Sequence, residues 1–150
     1  MSSNSSEEEK RIALANITNR IINERISYEN SYDGEKNDAY YEKIVSIERP
    51  LFSIIRECDL STFITDKELK RALDSYSSSI SELSGAIGKG NIEISEIIDN
   101  RNVSLVTLYR KGYLRIPEDE YKKCCETYIE NKLSEGFYAY GGTQWPLLRP

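Results

Sequence analysis

The chain has 150 residues, a formal net charge of −5 and a hydrophobic share of 39%. That length supports one domain with a buried core, and the acidic balance argues against a nucleic-acid surface that tracks phosphates with clustered Lys and Arg. With no histidine there is no Ser-His or Cys-His pair and no His-ligated metal site.

The three cysteines, Cys58, Cys124 and Cys125, are an odd set with one adjacent pair. They make no disulfide framework and point to a reducing compartment, each acting as a small buried apolar residue. The N-terminus MSSNSSEEEK lacks the apolar segment of a signal peptide, and no apolar run approaches the length needed to cross a bilayer. A soluble, intracellular protein is therefore expected, and simple solubility accounts for its acidity.

Residues 1–6 are expected to be disordered, with a single helical domain over residues 7–150. Ser6 and the acidic run Glu7-Glu8-Glu9 suit the start of a helix, because carboxylates favour the positive end of the helix dipole. Leu14, Ile17, Ile21, Ile22 and Ile26 continue that helix to about Tyr28 at steps of three to four. Asn30–Asp38, rich in turn formers around Gly34, reads as a loop.

Tyr40, Ile44, Ile47, Leu51, Ile54 and Cys58 then define a second helix, which Pro50 is expected to kink or split. Asp66–Tyr76 reads as a short helix showing Leu69 and Ala72, and Ser77–Ser81 as a stretch that frays. Ile80–Ile87 follows as another helix, broken by Gly88-Lys89-Gly90, which lacks P-loop spacing and is a turn. Asn91 is expected to cap a short helix over Ile92–Ile98.

Val103–Tyr113 is apolar on more than one face, as a buried central helix is. Pro117 and Glu118-Asp119-Glu120 start the next helix, with Tyr121, Cys124, Cys125, Tyr128, Ile129 and Leu133 on its buried side. The chain then meets Gly141-Gly142, a pair that ends a helix, surrounded by Phe137, Tyr138, Tyr140 and Trp145. No segment alternates as a strand does, so the domain is read as all-α, seven to eight helices around a central hairpin.

Taken together, four stretches resemble the Bcl-2 family of apoptosis regulators. Tyr128, Leu133, Phe137, Gly141 and Gly142 resemble its second homology motif, where a helix ends at Gly-Gly. Asn100–Leu114 (NRNVSLVTLYRKGYL) aligns without a gap on the first motif and its central helix. Ile54 through Asp59 (IIRECD) matches the third, and Lys10–Tyr28 occupies the place of the fourth. Each motif alone is weak; their order and spacing carry the resemblance.

The resemblance implies a divergent, viral-type pro-survival homologue, an inhibitor of apoptosis that sequesters BH-3 helices of pro-death proteins in a surface groove. It implies no cofactor and no catalysis. It also implies a place in the host-cell cytoplasm or peripherally at mitochondria; the family's usual C-terminal anchor is not found in this chain, which is either truncated or naturally anchorless. The chain departs from the pattern at several places. Arg101, Asn102 and Val103 stand where the family has Trp, Gly and Arg, and that arginine pairs with the aspartate of a bound BH-3 helix. Val103 has no charge to offer; the alternative left open is Arg101, two residues earlier, reaching round. Both tryptophans of the second motif are missing too, with Gly136 and Thr143 in their places.

A groove that takes an amphipathic helix needs an apolar trench and polar groups at its rim. Position-matching puts Ile64, Leu69 and Ala72 in one wall, Ile94 and Ile98 in the other, Leu105 and Val106 in the floor, and Asn100 and Arg101 at the rim. Each of these apolar residues serves ordinary core packing as readily. The missing arginine removes a charge-assisted contact of about 1.5–3 kcal/mol, so a narrow ligand range is expected. An exposed trench of this kind would also invite a second copy of the chain to cover it.

Two other readings compete. Ile92–Tyr113 superficially resembles a helix-turn-helix with its turn at Asn100–Asn102, although the acidic chain and a turn without glycine argue against DNA. The eleven tyrosines suggest instead an immunity or adaptor protein that binds its partner through exposed rings. An enzyme is not expected, since the helix-face Glu and Asp read as solvated.

Overall fold

The computed structural model describes residues 3–134, and the Gly141-Gly142 corner with its aromatic neighbours lies outside them. Five α-helices follow one another: α1 (Ser3–Ser31), α2 (Asp38–Glu57), α3 (Lys67–Ala86), α4 (Asn91–Arg110) and α5 (Glu118–Ser134). A short 3-10 turn, Leu60–Thr62, joins α2 to α3. There is no strand among the described residues, so the all-α class holds. The described helices number five rather than seven to eight, because two expected breaks are absent.

The first helix buries Leu14, Ile21, Ile22 and Ile26, and the buried Thr18 hydroxyl donates to the Leu14 carbonyl at 2.7 Å. It begins at Ser3, so it runs back through residues expected to be disordered. Asn37 starts α2, its side chain accepting from the Tyr40 N–H at 3.2 Å. Pro50 does not split this helix. The carbonyl it leaves without a helical donor belongs to Ser46, and both residues stand on the exposed side where water serves instead.

Asp66 opens α3 by accepting from the N–H groups of Glu68 and Leu69 at 3.0 and 3.1 Å. The helix continues through Ser77–Ser81, where fraying is expected from composition. Its buried stripe, Leu69, Leu73, Tyr76, Ile80 and Leu83, crosses the serines without losing step. Ser77 and Ser79 turn their hydroxyls onto the carbonyls of Asp74 and Tyr76, at 2.9 and 2.6 Å, which removes the polarity of two buried groups.

The second missing break is in α4, which runs unbroken through Asn100–Asn102. Ile94, Arg101, Leu105 and Leu108 keep one helical phase across the supposed turn, and all four are buried. The cap of α4 is Gly90, with φ of +131°, and not Asn91; it makes no side-chain capping bond. At the other end Gly112, with φ of +76°, lets the N–H groups of Tyr113 and Leu114 turn back onto the Leu108 carbonyl at 3.0 and 3.2 Å.

Packing follows chain order: α1 lies on α2, α2 on α3, α3 on α4 and α4 on α5. The central pair expected over Val103–Tyr113 and Glu118–Leu133 corresponds to α4 against α5. Two asparagines of α1 close the bundle. Asn19 donates to the Tyr113 carbonyl at 2.9 Å and accepts from the Arg115 N–H, and Asn23 donates to the Arg115 carbonyl at 2.8 Å. A main apolar cluster draws on all five helices, and a smaller one gathers Tyr40, Ile44, Val45, Leu83, Ala86 and Ile94.

Candidate functional site

Three buried charges, Arg25, Glu48 and Arg101, and the partly buried Glu29 come together in the bundle. Arg25 of α1 and Glu48 of α2 expose only 2% and 0% of their side chains, and Arg25 Nε meets Glu48 Oε2 at 3.2 Å. The Tyr76 hydroxyl of α3 donates to the same carboxylate oxygen. Arg25 Nη1 reaches Glu29 one turn on at 2.8 Å, and Arg101 Nη2 of α4 approaches the other oxygen of Glu29 at 3.8 Å. One ionic network therefore ties four helices together.

The geometry sets the proton states. Burial works against the charge on Arg25, but the carboxylates Glu29 and Glu48 outweigh it and hold its pKa well above the usual arginine value. Burial also opposes ionisation of Glu29, yet Arg25 and Arg101 prevail and keep its pKa below the ordinary carboxylate range. Burial, reinforced by Glu48, pushes the Tyr76 phenol upward, so it stays a neutral donor. Tyr40, at the edge of the network, is pushed up to about 12 by burial and then by Glu29.

The network is not fully satisfied. Arg25 Nη2, Glu48 Oε1, Arg101 Nε and Arg101 Nη1 are buried and find no hydrogen-bond partner among the described residues. Arg25 and Arg101 both line a cleft of about 230 Å3 between α1, α2, α4 and α5, with Lys36, Tyr40, Tyr41, Lys123 and Cys124 around it. Burial pushes the Cys124 thiol up to about 11, so no thiolate nucleophile stands there at neutral pH. No group of three or more metal-binding side chains occurs among the described residues.

No family model matches this sequence, and no curated protein or solved structure matches it significantly. The site must be read from the chain itself.

The residues expected to line a groove fall elsewhere than on an open surface. Ile64, Leu69, Ala72, Leu105 and Val106 are all buried in the main apolar cluster. Ile94 is buried in the smaller cluster, with Ile98 packed half-buried against it. The two expected walls thus belong to different clusters. The only exposed large apolar side chain among the described residues is Ile12, on α1.

Asn100 is exposed in the middle of α4, while Arg101 faces inward toward Glu29 and is buried. They therefore make no common rim, and Val103 is half-buried between them and the floor residues. Of the motif landmarks, Ile54 is half-buried against the main cluster. Asp59 is exposed and caps the 3-10 turn, accepting from the Ser61 N–H at 3.2 Å. Gly141 and Gly142 lie outside the described residues.

Sequence reading missed Arg25, Glu29 and Glu48, having placed helix-face carboxylates in solvent. A signal was present. Glu48 falls on the line Tyr40, Ile44, Glu48, Leu51, Ile55, and these five are the buried stripe of α2. Arg25 likewise sits between the buried Ile22 and Ile26. A charge in phase with an apolar stripe is a charge that will be buried.

Proposed function

We propose that this chain is a helix-sequestering interaction protein of Bcl-2-like type, inhibiting apoptosis by taking up the BH-3 helix of a pro-death partner. One observation supports the reading beyond the order of the motifs. Residues matched to one wall and to the floor, Ile64, Leu69, Ala72, Leu105 and Val106, all belong to the single main apolar cluster that draws on the five described helices. In the free chain that cluster is shut, so a ligand helix has to part α3 from α4 before it can insert.

In this reading the α4–α5 pair serves as the bundle's central hairpin, and the protein works in the cytoplasm of a host cell or peripherally at mitochondria. No described helix is long and apolar enough to cross a membrane. Arg101, held inward beside Glu29, gives no support to a pairing with the ligand's aspartate. Affinity then rests on apolar anchors, which favours a narrow set of ligands. A homodimer that covers an open trench has less to recommend it while the trench is closed.

Calorimetric titration against a panel of BH-3 peptides is the test. At least one peptide should bind at micromolar affinity or tighter, and a panel that is silent throughout would overturn the proposal. Neither rival gains support. A helix-turn-helix requires a turn where α4 is continuous, and none of the nine described tyrosines is exposed.

A further inference from the structure

We propose that the cleft between α1, α2, α4 and α5 is a binding site for a small oxyanion, of the phosphate or carboxylate class. The inference is independent of the helix-sequestering reading, since the cleft takes no residue from α3. It rests on two observations. The first is that Arg25 and Arg101, both more than nine-tenths buried, line the cleft and carry N–H groups without partners among the described residues. A buried guanidinium nitrogen without an acceptor is costly, and paired oxygens of a carboxylate or a phosphate match its forked donors.

The second is the charge around the opening. Four cations, Arg25, Arg101, Lys36 and Lys123, line the cleft against two carboxylates, Glu29 and Glu120, with Glu48 behind them. Glu29 is already engaged by Arg25, and Glu120 by Lys123 at 3.2 Å. This is a local excess of positive charge in a chain whose net charge is −5. The volume of about 230 Å3 corresponds to the liquid share of roughly eight waters, enough for a phosphate or a small dicarboxylate. Tyr40 and Tyr41 supply a flanking wall for the body of an organic anion.

The experiment is calorimetric titration of the intact chain with sodium phosphate and, separately, sodium succinate, against sodium chloride at equal ionic strength. Saturable binding of either anion at millimolar affinity or tighter is expected, and the tighter of the two identifies the ligand class. It should be lost in Arg101→Met and weakened several-fold in the double variant Lys36→Ala/Lys123→Ala. The lysine variant touches only exposed rim charges, so it decides the matter even where Arg101→Met fails to fold. Absence of saturable binding by both anions would overturn the proposal, as would binding that the lysine variant leaves unchanged.

Discussion

Helix α4 is buried by two different means along its length. Toward its C-terminal half, Leu105, Val106 and Leu108 enter the main apolar cluster, where removing surface from water is favourable without directional demands. One turn earlier, Arg101 is as deeply buried, in the network of Arg25, Glu29, Glu48 and Tyr76. There the desolvation of each charge must be offset by a partner in the right place. The apolar half tolerates small rearrangements, whereas the ionic half works only in one register of α1, α2, α3 and α4.

Breaking the ionic half should have the largest effect. Glu48→Ala leaves the buried Arg25 with Glu29 as its remaining carboxylate partner and the Tyr76 hydroxyl without its acceptor, and is expected to cost about 3–5 kcal/mol, read as a drop in the urea midpoint. The double variant Arg25→Met/Glu48→Leu should recover most of that loss, because two apolar side chains replace a pair whose desolvation is itself expensive. A double variant no more stable than Glu48→Ala would mean that the network stabilises beyond removal of an uncompensated charge.

On the apolar half, Leu105→Ala should cost about 2–5 kcal/mol through lost burial and a residual cavity. Here no second substitution in the ionic network should offset the loss; Tyr76 belongs both to the main apolar cluster and to the network, so a double-mutant cycle of Leu105→Ala with Tyr76→Phe measures the coupling between the two halves. Next in size, Tyr76→Phe removes a hydrogen bond to a charged carboxylate and should cost about 1.5–3 kcal/mol, again by urea unfolding.

The smallest effect is a dependence on pH. The folded pKa of Glu29 lies below its ordinary value of 4.5, so its pairing contributes stability above that pH and loses it as pH falls through the folded pKa. Stability should therefore decline below about pH 4.5, and Glu29→Gln should flatten that decline in a series of denaturant melts. Arg25 and Tyr76 have folded pKa values raised above their usual ranges, so neither changes charge near neutrality.

Much of the helical order was legible beforehand. The apolar period of three to four marked every helix, and the start of α5 at Pro117 and its acidic first turn was readable from local chemistry. The helix breaks were less legible. Serine at 77–81 and asparagine at 100 and 102 weaken a helix in isolation, but their cost is small beside the burial of Tyr76, Ile80, Leu105 and Leu108 on the same faces. Tertiary packing therefore carried both helices across sites where propensity suggested a stop.

The groove was the least legible feature. Position-matching selected apolar residues that do sit together, but periodicity does not distinguish an interior interface from an exposed trench. Arg101 shows the same limit from the other side. As a letter beside Asn100 it suited a polar rim; in the folded chain its helical phase turns it inward, beside Glu29.

By itself, then, the sequence determined that the chain is helical, where most helices start, and that no histidine chemistry is available. These follow from local propensity, capping and composition, which act within a few residues. Tertiary structure alone decided that α3 and α4 run unbroken, that Glu48 and Arg25 meet in the interior, and that two guanidinium groups converge on one cleft. Those outcomes depend on which faces of separate helices are apposed, and burial energy summed over a whole helix outweighs the preference of any single residue.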